Sequence, residues 1–183
     1  MFIETEQTPN PATLKFLPGR SVMVQGTADF ASAEAAERSP LAQRLFQVEG
    51  VSGVFLGSDF VTVAKAETKT WQVLKPAILG IIMEHFAANR PVILESSAAP
   101  AAEAGEDSEI VTQIKELLET RVRPAVAQDG GDIIFQGYED GVVFLHLQGS
   151  CAGCPSSTAT LKMGIENMLK HYVPEIVEVR AVA

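Results

Sequence analysis

Only two of the 183 residues are cysteine, and they stand two apart in Gly149-Ser150-Cys151-Ala152-Gly153-Cys154-Pro155. A disulfide framework is therefore excluded. A tetrahedral zinc site or a cubane iron–sulfur cluster normally takes four protein ligands, so the thiolates of one chain cannot complete either. Basic residues are also scarce, 14 Lys and Arg against 23 Asp and Glu, for a net charge of −9. No Lys/Arg cluster is interleaved with aromatics, which argues against nucleic acid as a partner. Long apolar runs are missing too. Ala77 to Met83, with Gly80 inside it, is far too short to span a bilayer. The start, Met1-Phe2-Ile3-Glu4-Thr5-Glu6, has neither the basic and apolar segments of a secretory signal nor the arginines of a transit peptide. The expectation is a cytoplasmic protein without a membrane partner. In a reducing compartment a vicinal cysteine pair is metal-binding or catalytic rather than a structural staple.

What is present is ordinary globular material, 46% hydrophobic. One stretch departs from it. Ser96 to Ser108 reads SSAAPAAEAGEDS, with no aromatic or large aliphatic side chain. It cannot bury enough apolar surface to offset its ordering entropy and reads as a flexible acidic linker between domains 1–95 and 109–183. In the second domain Ser108 or Asp107 is placed to cap a helix along Ile110, Ile114, Leu117, Leu118 and Val122, with Pro124 kinking or restarting it. Ile133–Tyr138 and Val142–Leu147 are β-rich and joined by the hairpin signal Asp140-Gly141. Pro155 opens a second helix, striped by Leu161, Ile165, Met168, Leu169 and Tyr172, and Ile176–Val182 is a last strand. The expected fold is α/β (α+β): two small domains, the second α-β-β-α-β with a three-stranded mixed sheet. The first domain offers strands near Phe2–Glu6, Thr13–Phe16, Ser21–Val24, Val51–Leu56 and Phe60–Ala64. Its expected helices begin at Ser39-Pro40 and run from about Trp71 to Asn89, Pro76 confining full regularity to the later turns.

Cys151 and Cys154 are the candidate site. Cys154 precedes the proline that opens a helix, where free N–H groups and the positive end of the dipole favour a thiolate. Gly149 and Gly153 let the loop curl close to a bulky inorganic core. Ser156, Ser157 and backbone amides could donate to thiolates or sulfides. A metal site shared by two chains, a thioredoxin-like dithiol and a structural zinc link between two chains all fit this pair. Against the dithiol, only one helix and one short strand follow it, too little for a thioredoxin-type sheet.

Two runs carry a resemblance. Pro124-Ala125-Val126-Ala127-Gln128-Asp129-Gly130-Gly131-Asp132, followed by Gly149 to Ser157, resembles the carboxyl-terminal domain of NifU-like (Nfu-type) iron–sulfur cluster carriers. Thr8-Pro9-Asn10-Pro11-Ala12-Thr13-Leu14-Lys15-Phe16-Leu17-Pro18-Gly19 resembles the Nfu amino-terminal domain. The resemblance implies a non-enzymatic carrier that binds a cluster, 4Fe–4S or 2Fe–2S, between two subunits through Cys151 and Cys154 of each. It implies a homodimer when loaded, an upstream assembly scaffold as donor and apo iron–sulfur proteins as clients. The alternative is a dithiol–disulfide oxidoreductase.

Other polar residues read as structural. Asp129 and Asp132 flank a Gly-Gly turn and serve turn formation. His85, His146 and His171 lack ligand spacing to one another or to the cysteines. With no cysteine and only His85, the first domain has no means of holding a cluster, which leaves it partner recognition.

Overall fold

Five short strands and a short α-helix fill the first 65 residues, and a longer helix with an apolar face then adds to their core. The structure is a computed structural model that describes residues 2–94, 108–152 and 155–182, with the backbone alone for 155–158. Gly153, Cys154 and all of the expected linker except Ser108 lie outside the described residues. The chain divides into two compact units, Met1–Ala98 and Ala99–Ala183.

The first unit holds β1 (Glu4–Gln7), β2 (Thr13–Leu17), β3 (Ala28–Phe30), β4 (Val51–Leu56) and β5 (Val61–Lys65), in one antiparallel sheet ordered β1-β2-β5-β4-β3. Helices α1 (Pro40–Phe46) and α2 (Trp71–Ala87) complete it. Leu74, Ile78, Ile82 and Phe86 recur every four residues, so one face of α2 joins Leu14, Phe16, Val54, Leu56, Val61 and Val63 in a single buried core. Ser39 caps α1 as expected. Its Oγ accepts from the Ala42 amide at 3.1 Å and donates to the Val92 carbonyl at 2.7 Å, binding the segment after α2 back to α1.

Two expectations are corrected here. Ser21–Val24 is not a strand: the Val22 and Met23 amides both donate to the Ser58 carbonyl, at 2.8 and 3.2 Å, so the segment meets one loop oxygen rather than a neighbouring ladder. The strand of that region is β3, further on. Helix α2 also runs unbroken from Trp71 through Pro76. Proline costs one backbone bond, to the Gln72 carbonyl, in the second turn, and packing of the apolar face outweighs that loss. The helix ends at Ala87, and Asn89 turns into the left-handed region at φ 48°.

In the second unit Ser108 caps α3 (Glu109–Leu117), its Oγ accepting from the Val111 amide at 3.4 Å. A π-helical turn, Leu118–Val122, separates α3 from α4 (Arg123–Gln128). Pro124 sits in the first turn of α4, directly after the π-helical turn, and the backbone stays helical from Glu109 to Gln128, so the proline neither ends nor restarts the helix. Then come β6 (Gly131–Glu139), β7 (Val142–Gly149), α5 (Pro155–Tyr172) and β8 (Glu178–Val182). Asp140 and Gly141 both have positive φ, 48° and 81°, matching the two-residue hairpin turn that their sequence predicts. β6 and β7 are antiparallel and β7 and β8 parallel, giving the expected three-stranded mixed sheet in the order β6-β7-β8. Glu166 on α5 fixes the outer strand: its carboxylate accepts from the Val179 amide at 3.1 Å and from Lys170 at 2.7 Å. Ile114, Leu118, Val122, Ile133, Val143, Leu145, Ile165, Leu169 and Val179 form this unit's own core.

Candidate metal centre

The hairpin register decides what surrounds the cysteine loop. Gly131 pairs with Gly149 and Asp132 with Gln148, so the start of β6 and the end of β7 lie side by side. The Asp129–Asp132 run, distant in sequence from Cys151, is thereby set against it. The Ser150 amide donates to the Gly130 carbonyl at 3.2 Å, and the Ser150 hydroxyl donates to the Asp129 carbonyl. The Ala152 amide donates to the Gly149 carbonyl at 3.1 Å, closing a tight turn around Cys151.

Cys151 is 7% exposed and belongs to the buried core of its unit. Its seat is moulded by Gly131. A Cβ at that position would stand 2.5 Å from the Cys151 Sγ, 2.8 Å from the Gln148 carbonyl oxygen and 3.1 Å from the Cys151 amide. No side chain fits there. The glycine is required by close approach, because backbone and sulfur already fill the space.

Asp132 has a role that its spacing did not disclose. It is 3% exposed and forms a two-pronged pair with Arg123: Nε to Oδ1 and Nη2 to Oδ2, both 2.9 Å. Arg123 Nη1 also donates to Glu119 at 2.6 Å. The bonds to Asp132, and then to Glu119, hold the guanidinium above its ordinary pKa. This pair ties α4 to the strand that carries Gly131. An acid next to Ile133-Ile134 at the start of an apolar strand signals a buried carboxylate that needs a cation, and Arg123, nine residues earlier, meets that need. Asp129 contributes its backbone carbonyl to Ser150.

The histidines sit apart from this arrangement in role. On β7, His146 Nδ1 lies 3.3 Å from the Val182 carbonyl oxygen, and His171 meets Tyr172 edge-on with ring centres 5.1 Å apart. In the first unit His85 is fully buried, its Nε2 3.1 Å from the Pro91 carbonyl oxygen. A carbonyl only accepts, so Nε2 carries the proton. Burial first, then the charges of Arg44 and Arg90, lowers the His85 pKa below its ordinary value. Among the described residues no group of three or more His, Cys, Asp or Glu could hold a metal ion. Cys154, Ser156 and Ser157 fall where side chains are not described; the backbone of α5 begins at Pro155, next to Cys154.

Comparison with known proteins adds to this geometry. Residues 3–89 match the family described as "Scaffold protein Nfu/NifU N terminal", and residues 114–180 match "NifU-like domain". The "NFU1 iron-sulfur cluster scaffold homolog, mitochondrial" of Homo sapiens is 54% identical, covering 96% of this chain and 70% of that protein. "NifU-like protein 5, mitochondrial" of Arabidopsis thaliana is 52% identical, covering 96% of this chain and 66% of its own length. A solved NifU-like protein from Saccharomyces cerevisiae is similar at TM-score 0.48 and 28% identity, over 52% of this chain and 87% of that one. The chain thus spans about two thirds of the length of these curated relatives. Their names also overturn the expected cytoplasmic location, since both are mitochondrial. The physical reason is that a vicinal thiol pair reports a reducing compartment without saying which one.

Proposed function

The chain belongs to the NifU-like, Nfu-type family of iron–sulfur cluster scaffold proteins, and from that premise we propose that it carries a cluster between two copies of itself and hands it to apo-proteins. Cys151 and Cys154 of each copy are the ligands, and the cargo is a 4Fe–4S cluster. The observation that carries this reading is Cys151 seated on a glycine-bounded turn against Gly131, in a chain with one other thiol. Two thiolates are half of the set a cubane needs, and a second copy supplies the other half. A cluster shared between two small subunits is open to incoming thiols, so ligand exchange can release it. This is delivery, without catalytic turnover of the chain's own. Nothing in the relatives' names favours the dithiol oxidoreductase alternative.

The proposal assigns residues 109–183 to cluster binding, 96–108 to the linker and 1–95 to recognition of clients or of the upstream scaffold. The mitochondrial names of the relatives support a place for this chain in the mitochondrial branch of the family. Anaerobic reconstitution tests the reading. A bridging cubane gives about two irons and two sulfides per chain, whereas a bridging 2Fe–2S cluster gives about one of each. Cys151→Ser or Cys154→Ser should abolish stable loading with the far-UV circular dichroism unchanged. A variant that still took up the full complement would remove that cysteine from the ligand set.

A further inference from the structure

A ligand buried in a core cannot reach a cluster that another subunit shares. Cys151 is 7% exposed and forms one core with Ile133, Leu145 and Ile165. Its seat is specific: the bare Cα of Gly131 gives the sulfur its space, while Ser150 latches the turn to the Asp129 and Gly130 carbonyls. Arg123 and Asp132 hold the strand behind it. On the reading of Cys151 as a cluster ligand, we propose that the metal-free chain is a closed form, in which the thiol is stowed against Gly131, and that loading is gated by an opening of the Gly149–Ala152 turn.

The turn is built for such a motion. Gly149 lies in the left-handed region at φ 64°, where glycine pivots without a Cβ penalty. The latch includes the Ser150 hydroxyl and amide bonds, whose partners are the Asp129 and Gly130 backbone carbonyls just ahead of β6. Lifting vacates a sulfur-sized space and leaves the sheet pairing of Ile133 with Leu147 intact. Opening is therefore local. Stowage keeps the Cys151 thiol away from oxidants until metal and sulfide arrive. Gly131 and Ser150 are positioning residues, acting through Cys151.

Labelling of the metal-free chain with an uncharged maleimide tests the gate. The Cys154→Ser background leaves Cys151 as the only thiol. Its labelling in native buffer should be at least about tenfold slower than in concentrated urea at the same pH, and should change little across low urea, as local opening requires. Equal rates in buffer and in concentrated urea would overturn the closed form. A rate that climbs from the first addition of urea, in step with global unfolding, would overturn the gate, because exposure would then need the whole unit to open. In the same background Gly131→Ala and Ser150→Ala should each speed labelling several-fold in a chain that stays folded in buffer by far-UV circular dichroism, the unfolding midpoint falling because the closed form is the one weakened. Should Gly131→Ala fail to fold, Ser150→Ala decides alone. Unchanged labelling in a folded Ser150→Ala chain would reject the latch. In the full two-cysteine chain Ser150→Ala should also take up iron and sulfide faster than the parent, to the same final content. Faster labelling with equal loading rates would break the link between opening and loading. These labelling outcomes need no cluster, so they stand apart from the carrier reading, which the iron and sulfide content decides.

Discussion

Arg123 and Asp132 show how one pair of side chains conditions a site that neither enters. The carboxylate is almost wholly enclosed, its side chain 4% exposed against 31% for Arg123, and the guanidinium is its cationic partner beside the Ile133 amide, which donates to Oδ1 at 2.8 Å. Removing the cation leaves a buried charge behind. Arg123→Ala should destabilise the second unit by about 3 kcal/mol, the usual consequence of breaking one side of a buried pair. Arg123→Lys, which keeps the charge and loses the planar fork, should cost less. Arg123→Ala with Asp132→Asn should recover part of the loss, since the orphaned charge is gone. Urea unfolding followed by far-UV circular dichroism gives all three values. A single mutant within experimental error of the parent would show that the pair is dispensable, and with it the tie between α4 and the start of β6.

Among the elements, the packing of α2 against α1 holds the first unit's titratable switch. His85 is buried on α2, with Arg44 of α1 and Arg90 beyond the helix end raising the cost of protonating it; Arg44 is itself paired with Glu84 at 2.9 Å. The folded pKa lies below 6.5, the ordinary value that the unfolded chain keeps. Below that value the unfolded chain binds a proton that the folded one refuses, so stability should be full above pH 6.5 and fall as the pH drops towards the folded value. Trp71, the single tryptophan, starts α2 and donates from Nε1 to the Pro11 carbonyl at 3.2 Å, so its fluorescence reports on this unit. His85→Gln should flatten the slope just below pH 6.5; an unchanged slope in that variant would assign the dependence to other groups. The same elements show what a sequence discloses. The α2 stripe, the α5 stripe from Leu161 to Leu169, the Ser39 and Ser108 caps and the Asp140-Gly141 hairpin were legible because each rests on residues within one turn of one another. Tyr172, expected on the α5 stripe, is instead exposed at the helix end, where Val173 takes the buried place. The π-helical turn at Leu118–Val122, the place of β3 and the Arg123–Asp132 pair were not. The place of β3 and the Arg123–Asp132 pair depend on a partner that the fold brings near, as did the seating of Cys151 against Gly131, although the cysteine spacing alone singled out the site. The π-helical turn is a local change of helical period that the apolar stripe does not reveal.

For the whole molecule, the division into two units with separate cores makes a testable claim about labour. Ile114, Leu118, Ile133, Leu145, Ile165 and Leu169 all belong to the second unit, and among the described residues its core cluster is made of that unit's own side chains. A fragment of residues 109–183 should therefore fold alone and, holding both cysteines, should load a cluster and dimerise around it, because metal shared between chains couples loading to association. Light scattering should show a monomer-to-dimer shift that follows iron content. A fully loaded monomer would remove the bridging arrangement. What the fragment lacks is the five-stranded sheet with α1 and α2, the proposed recognition unit. Tethering a client near the cluster raises the effective concentration of its thiols, and that gain disappears when the recognition unit is cut away. Transfer to a cognate apo-protein should therefore slow in the fragment, while transfer to a small thiol acceptor, which needs no docking, should keep its rate. Comparing both acceptors at equal loading separates recognition from release. Equal rates to the protein client would reject recognition by residues 1–95, and slower transfer to both acceptors would mean that the first unit acts on the cluster rather than on the client.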